Sequence, residues 1–297
     1  MQERFSSGAQ TFSRRHATFT QVTNLEFELE TILVCPRCRS RLRFEEDAIV
    51  CISCAASFAK QAGVPVFLDE PAEAMPAEHE SNPLGAEFQA ILAQGGGLTL
   101  HLGAGATAVR APGCIEFEHK IFRHTDVVGD AHQLPFRDGT FDRVFAFNVF
   151  EHLRDPKIAA GEIYRVLKPG GMLALHTAFL QALHEAPHHY YNATEFGVRE
   201  WFTQFEIERC EVSGNFSPGV MLGFLSASLL ETLRQSETPV AEQVQIAQTG
   251  IGDWADFWNR KGAPPTGFQA LQNLPQELQK RVAAGFELRA RKPAVSS

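Results

Sequence analysis

The chain has 297 residues, of which 44% are hydrophobic and 21% are charged, as is usual for a globular protein of one or two domains. Its formal net charge of −8 argues against a large nonspecific nucleic-acid surface, because such a surface needs clustered lysine and arginine. The apolar run Val220 to Leu230 is too short to span a membrane, and the N-terminus lacks an apolar signal segment, so we predict a cytoplasmic protein.

Four regions follow one another along the chain. Residues 1–30 are predicted to be a leader, residues 31–70 hold a cysteine module, residues 71–97 form a linker, and residues 98–297 alternate strand and helix signals. Short apolar strands that alternate with helices indicate an α/β fold with a doubly wound, mostly parallel sheet.

The cysteine module contains two Cys-x-x-Cys pairs, Cys35 with Cys38 and Cys51 with Cys54. In a reducing compartment, four thiolates at this spacing indicate a zinc ribbon with structural Zn²⁺ rather than disulfides. The segment between the pairs predicts a β-hairpin with two acidic residues at its turn. A module this small has little core, so the metal would supply much of its folding free energy. Four cysteines leave no open coordination position, so we expect no catalytic role here.

Arginines alternate with other residues inside this module. A strand over residues 39–44 would place Arg39, Arg41 and Arg43 on one face. That face is either a solvated surface beside the metal or a docking surface for an acidic partner. A homodimer or a protein partner bound through the module, and a nucleic-acid substrate, therefore stay open at this point.

A glycine turn and an acidic residue follow the first two predicted strands of the C-terminal region. The string LTLHLGAGAT predicts a strand that ends in a turn of Gly103, Ala104 and Gly105, where the backbone can approach a ligand closely. Glu118 ends the next strand, CIEFE, where a carboxylate can bind ribose hydroxyls, and Glu116 is the fallback for that role.

The third and fourth predicted strands add further polar groups. Asp130 follows the third strand and can accept a hydrogen bond from an adenine amino group, while Ala131 can donate its backbone N–H to a ring nitrogen. Asn148 lies at the carboxyl end of the fourth strand. Ligands of open α/β sheets bind outside the carboxyl ends of the strands, so these groups are predicted to form one crevice.

The order of these motifs resembles that of the class I S-adenosylmethionine-dependent methyltransferases. The resemblance rests on the glycine turn, the strand-end acid, GDAHQLPFRDGTFDRV, an EH pair and EIYRVLKPGG. It implies S-adenosylmethionine as cofactor and a seven-stranded sheet, with residues 205–212 as the sixth strand and residues 285–292 as the antiparallel last strand. His101 stands where the family usually has an acid, and Thr107 where it has a third glycine. We keep His101 among the candidate cofactor-binding residues.

The cysteine module carries a resemblance of its own. Residues 33–68, LVCPRCRSRLRFEEDAIVCISCAASFAKQAGVPVFL, resemble the small zinc-binding proteins that activate methyltransferases and the ribbons fused ahead of methyltransferase domains. This resemblance also implies bound Zn²⁺.

Two histidines are candidate catalytic residues. A hydroxyl acceptor benefits from a general base, and His152 and His184 follow the fourth and fifth strands; the alternative is that they are cap, packing or surface residues. We predict methyl transfer to a small molecule such as a sugar, lipid precursor or metabolite. The alternatives are an RNA or protein methyltransferase that docks its substrate through the cysteine module, and a non-catalytic partner protein. Residues 213–283 are predicted to form a lid, a dimer contact or plain packing.

Overall fold

The computed structural model describes residues 29–81 and 83–284. The predicted leader, apart from its last two residues, and the predicted last strand over residues 285–292 lie outside the described residues. None of the helices in the described ranges is long and apolar enough to cross a membrane.

Nine strands of the described chain form one sheet. They are β1 (Leu42–Phe44), β2 (Ala48–Cys51), β3 (Ser57–Gln61), β4 (Val64–Val66), β5 (Thr99–Leu102), β6 (Cys114–Glu118), β7 (Val127–Val128), β8 (Phe141–Phe147) and β9 (Leu167–His176). Their order across the sheet is β1-β2-β3-β4-β7-β6-β5-β8-β9. The five strands from β5 to β9 pair in parallel, whereas β1 to β4 form an antiparallel meander.

The predicted count of seven strands is wrong for the described chain. The cysteine module adds four strands to the same sheet, because β4 pairs in parallel with β7. The predicted sixth strand, over residues 205–212, does not form. Two of its apolar side chains are partly buried without strand pairing: the Phe205 ring packs against Tyr164 and Phe202, and Ile207 packs against the main core.

Helices cover the parallel part of the sheet and continue beyond it. They are α1 (Ala86–Gln94), α2 (Pro156–Val166), α3 (Glu195–Trp201), α4 (Pro218–Arg234), α5 (Val240–Gln248), α6 (Ile251–Trp258), α7 (Phe268–Gln272) and α8 (Gln276–Val282), with 3₁₀ turns at Phe150–His152 and Gly214–Phe216. Helix α2 begins at a capped N-terminus: Asp155 accepts a hydrogen bond from the backbone N–H of Ile158, and Pro156 follows it.

The main core lies under β5, β6 and β8. All four residues of β5 are buried, as are four of the five in β6, which is the burial expected for a central parallel strand covered on both faces. Helix α1, within the predicted linker, contributes Phe88, whose ring lies 4.6 Å from that of Phe147. The linker therefore packs on the sheet.

Helices α4, α5, α7 and α8 pack around a small core of their own. Leu233, Ile246 and Leu274 form it. This group reaches the sheet region through the Phe216 ring, 5.7 Å from His176, and through the Leu183 N–H, which donates to the Arg281 carbonyl. Packing accounts for part of residues 213–283, and the lid and dimer roles remain predictions.

Candidate functional site

The four cysteines of the module come together as predicted. The four Sγ atoms all lie within 4.8 Å of one another, with 3.7 Å between those of Cys35 and Cys54 and 3.3 Å between those of Cys38 and Cys51. Four Zn–S bonds of about 2.3 Å in a tetrahedron place sulfurs roughly 3.8 Å apart. The donor set therefore fits a structural Zn²⁺ ion.

Both cysteine pairs turn the chain in the same way. The residue after the second cysteine of each pair has a left-handed backbone, with φ of 59° at Arg39 and 55° at Ala55. The backbone N–H groups of Ser53 and Cys54 lie 3.5 Å from the Cys51 sulfur. The turns direct amides toward the thiolates.

The predicted arginine face does not form. Arg39 lies in the turn rather than in β1, and its guanidinium is 3.0 Å from the Glu162 carboxylate of α2. Arg43, on β1, pairs with Glu45. Arg39 therefore makes an intramolecular contact, and the predicted strand that would align the three arginines is wrong; a docking role for this surface stays a prediction.

Glu162 is the centre of a network that holds the cysteine module on the sheet. Its Oε2 accepts from the Leu134 N–H at 2.9 Å and from Arg165 at 2.6 Å. Arg165 in turn donates to the carbonyls of Leu134 and Phe136. The Val34 N–H of the module donates to the Pro135 carbonyl at 2.8 Å. The Leu134–Phe136 segment is thus held from both sides.

The predicted glycine turn lies at the carboxyl end of β5. Gly103 and Gly105 have φ of 67° and 64°, and a Cβ on Gly103 would lie 2.2 Å from a methyl group of Val149. Only glycine fits this conformation without strain. Glu118, at the end of β6, accepts from the Gly105 N–H at 2.6 Å. Burial raises the pKa of the Glu118 carboxyl.

The remaining predicted groups lie at the same edge of the sheet. Because β7, β6, β5 and β8 are parallel neighbours, Asp130 and Asn148 follow strand ends beside Glu118 and Gly103. The Asp130 side chain is exposed. A hydrogen bond from the His132 ring lowers the pKa of Asp130, and the backbone N–H of His132, which donates to it at 2.9 Å, adds to this effect. Ala131 is buried.

Two predicted residues lie inside the strands rather than at their carboxyl ends. His101 lies inside β5, is 6% exposed and faces the Phe147 ring, and burial lowers its pKa to about 4. Glu116, the fallback for ribose binding, is buried in β6 and accepts from the Thr107 hydroxyl at 2.7 Å. Thr107 therefore fixes the end of the glycine turn, where the family has glycine.

The linker contributes a residue that sequence reasoning missed. The Ser81 hydroxyl accepts from the Ala106 N–H at 2.9 Å, and a Cβ on Gly105 would lie 2.5 Å from the Ser81 oxygen. Ser81 therefore covers the outer side of the glycine turn. No local pattern signals a contact across 25 positions of the chain.

The two candidate catalytic histidines come together, with 5.0 Å between the ring centres of His152 and His184. His189 lies 4.2 Å from His184, and the fully buried Glu151 precedes His152. Burial lowers the pKa of His152 and raises that of Glu151. Sequence reasoning used Glu151 only as part of the EH pair and missed its place in this cluster.

Comparisons with known proteins agree on one domain. Residues 105–175 match the family described as Methyltransferase domain. The sterol 24-C-methyltransferase of Schizosaccharomyces pombe is 44% identical over 50 residues, which cover 17% of this chain and 13% of that protein. The demethylmenaquinone methyltransferase of Streptomyces griseus is 43% identical over 47 residues, covering 16% of this chain and 20% of that protein. The chain thus spans a fifth or less of the length of these relatives.

A solved structure gives a weaker likeness. The phosphoethanolamine N-methyltransferase 2 of Haemonchus contortus, in complex with phosphomonomethylethanolamine and S-adenosylhomocysteine, superposes with a TM-score of 0.35 and 16% identity, over 64% of this chain and 50% of that one. The sequence match is more specific, since it begins at Gly105 of the glycine turn and ends within β9. Residues 105–175 of this chain are therefore similar to a methyltransferase domain.

Proposed function

We propose that this chain transfers a methyl group from S-adenosylmethionine to a small-molecule acceptor. The observation that carries the proposal is the half-buried Glu118 carboxylate, which accepts a hydrogen bond from the Gly105 amide at the carboxyl edge of the sheet, within the residues that match a methyltransferase domain. A carboxylate in this place can bind the two ribose hydroxyls of the cofactor. The bound cofactor supplies an electrophilic methyl group on a sulfonium.

Each strand end has a part in this proposal. The backbone of Gly103 to Gly105 would line the cofactor, Asp130 would accept from the adenine amino group, and the Ala131 N–H would donate to the ring. Asn148, with φ of 56°, presents its side chain from a left-handed position after β8. Positioning the acceptor close to the methyl carbon supplies much of the rate acceleration.

The names of the matched relatives guide the choice of acceptor. A sterol methyltransferase and a demethylmenaquinone methyltransferase both act on apolar ring compounds, so precursors of this kind come first in a panel of acceptors. Release of S-adenosylhomocysteine measures turnover. Cofactor binding without turnover on any acceptor would favour a non-catalytic partner protein instead.

Cofactor binding itself is tested by calorimetry on the full chain. We expect S-adenosylmethionine to bind the wild type, and Glu118→Gln to weaken binding roughly 10- to 100-fold, because one charge-assisted hydrogen bond contributes about 1.5–3 kcal/mol. Glu73→Gln is the matched control, since Glu73 pairs with Lys120 at the surface. No binding by the wild type at millimolar cofactor would refute the proposal.

We further propose that the four cysteines hold a structural Zn²⁺ ion. The sulfur spacing given above supports this, and a closed four-thiolate site gives the metal a folding role only. Metal analysis of the purified chain, with Cys35→Ser and Cys51→Ser as the variants, measures one zinc per chain or its loss.

A further inference from the structure

A second group of metal-binding side chains lies apart from the cysteines. Glu151, His152 and His184 each offer one ligand atom, and these three atoms lie within 4.8 Å of one another. Two metal–ligand bonds of about 2.0–2.2 Å reach donors up to about 4.4 Å apart. Small side-chain rotations therefore bring all three donors onto one ion.

The carboxylate of this group has an unsatisfied oxygen. Glu151 is 0% exposed, its Oε2 accepts from the Thr177 hydroxyl at 3.0 Å, and its Oε1 has no hydrogen-bond partner in the described chain. A buried carboxylate oxygen without a partner costs free energy, so such an atom indicates an absent ligand. A cation at this point supplies the missing partner.

The histidines are oriented as metal ligands usually are. The Nδ1 of His152 lies 3.0 Å from the His188 carbonyl, and the Nδ1 of His184 lies 3.0 Å from the Ala182 carbonyl. A carbonyl accepts, so each Nδ1 carries the proton and each Nε2 keeps its lone pair for a metal. In His189, by contrast, both ring nitrogens have protein partners.

The group lies beside the proposed cofactor crevice. Val149, which packs on Gly103, comes two residues before Glu151, and Glu151 and His152 lie in the 3₁₀ turn that follows β8. The Phe224 ring of α4 is 6.4 Å from the His184 ring. Helix α4 therefore lies close to the group.

From these observations we propose that Glu151, His152 and His184 bind one divalent transition-metal ion. Three protein ligands of this kind leave coordination positions open, as in metal sites that take part in reactions rather than in folding. An oxygen ligand, either water or an acceptor hydroxyl, occupies an open position, and the cation lowers the pKa of that hydroxyl. Only this role toward an acceptor rests on the proposed function.

The test uses Mn²⁺ on full-length protein that retains zinc in its cysteines. Thiolates bind Mn²⁺ poorly, whereas carboxylate and imidazole accept it, so Mn²⁺ separates the two sites. Electron paramagnetic resonance of free Mn²⁺ counts the bound ions, and Co²⁺ absorption provides a second probe. We expect one ion per wild-type chain and at least tenfold weaker binding in Glu151→Gln and His184→Ala.

His188→Ala is the matched control. It removes an imidazole from the same loop but keeps the backbone carbonyl that orients His152, so its Mn²⁺ affinity should equal that of the wild type. His184 is partly exposed, so its variant gives a result even if Glu151→Gln fails to fold. Absence of both Mn²⁺ and Co²⁺ binding in the wild type, or equal weakening by His188→Ala, overturns the proposal. Cofactor calorimetry on the same samples reports separately on the proposed function.

Discussion

At the scale of single residues, the left-handed backbone after each cysteine pair lowers the free energy of unfolding. Ala55 adopts φ of 55°, a conformation that costs an L-residue roughly 1–2 kcal/mol and glycine almost nothing. We expect Ala55→Gly to raise the free energy of unfolding by about 1 kcal/mol, measured by urea denaturation. Ala62→Gly, at φ of 50° in the turn between β3 and β4, should behave similarly. A loss of stability in both variants would contradict this explanation.

His101 makes stability depend on pH. Burial holds its pKa at about 4 in the folded chain, below the ordinary value of 6.5, so the unfolded chain binds the proton more tightly. Its contribution, up to about 3 kcal/mol, is complete above pH 6.5 and is lost as the pH falls toward 4. The free energy of unfolding of His101→Gln, measured by urea denaturation, should therefore depend less on pH over this range.

The control for this prediction is His119→Gln, which changes an exposed histidine. Glu116 pairs with His101 in register, and burial raises its pKa to about 7, so its contribution has the opposite sign. Only the difference between variant and wild type is therefore diagnostic. Equal pH dependence in His101→Gln and the wild type would rule out His101 as the titrating group.

Individual site residues could be predicted where a local pattern carries them. The cysteines, the glycine turn and Glu118 stand at fixed places in short motifs, and the structure puts them where those motifs imply. Ser81 and Glu151 could not be assigned in this way. Their contacts join distant parts of the chain, and a sequence without an alignment has no signal for such contacts.

At the scale of elements, helix α2 stabilises two parts of the molecule through one side chain. Glu162→Ala removes one of the two carboxylates that pair with Arg165, whose side chain is 9% exposed, and also the contacts to Arg39 and the Leu134 amide. Removing one partner of a buried ion pair costs about 3–5 kcal/mol when no other partner remains, and Asp138 keeps the loss below that limit. We expect a loss of about 2–4 kcal/mol in the free energy of unfolding, measured by urea denaturation.

The surface pair between Arg43 and Glu45 serves as the comparison. Both side chains are largely exposed, so Glu45→Ala should cost less than about 1 kcal/mol. Similar losses in the two variants would mean that Glu162 does not link the elements described here.

The strands could be predicted from apolar runs because the central strands are buried on both faces. The predicted strand CIEFE coincides with β6, Cys114–Glu118. The predicted fourth strand ends at Asn148, one residue beyond the observed end of β8. The run over residues 205–212 misled for the same reason: Phe205 and Ile207 are apolar, but they are buried by ring packing and by the main core instead of by strand pairing. Val212 is 71% exposed, so the run has no continuous buried face.

At the scale of the whole molecule, the cysteine module and the parallel strands β5 to β9 share one sheet. We expect them to unfold together, because β4 pairs with β7 and Phe67 donates to the Val128 carbonyl at 2.8 Å. If Zn²⁺ is bound, treatment with a chelator should lower the melting temperature of the single transition by roughly 10 °C or more, as measured by calorimetry. The Cys35→Ser variant should show no further change with chelator. A separate low-temperature transition, with the main one unchanged, would contradict a shared unit.

Sequence patterns predict a module, a linker and a domain, but they do not show which strands pair between these regions. Pairing between β4 and β7 leaves no periodic pattern, since each strand has the same composition whether its edge is paired or free. The boundaries at residues 70 and 97 therefore remain predictions, while the continuous sheet is an observation.

The place of β4 has a consequence for aggregation. Without the module, β7 would be the outermost strand, and its unpaired amides and carbonyls would offer a template to the exposed strands of other molecules. The antiparallel meander pairs with that edge, so the edge strand on this side of the sheet is β1, a three-residue strand that carries the charged Arg43. Short, charged edge strands pair poorly with strands of other molecules, so we expect the module to reduce self-association.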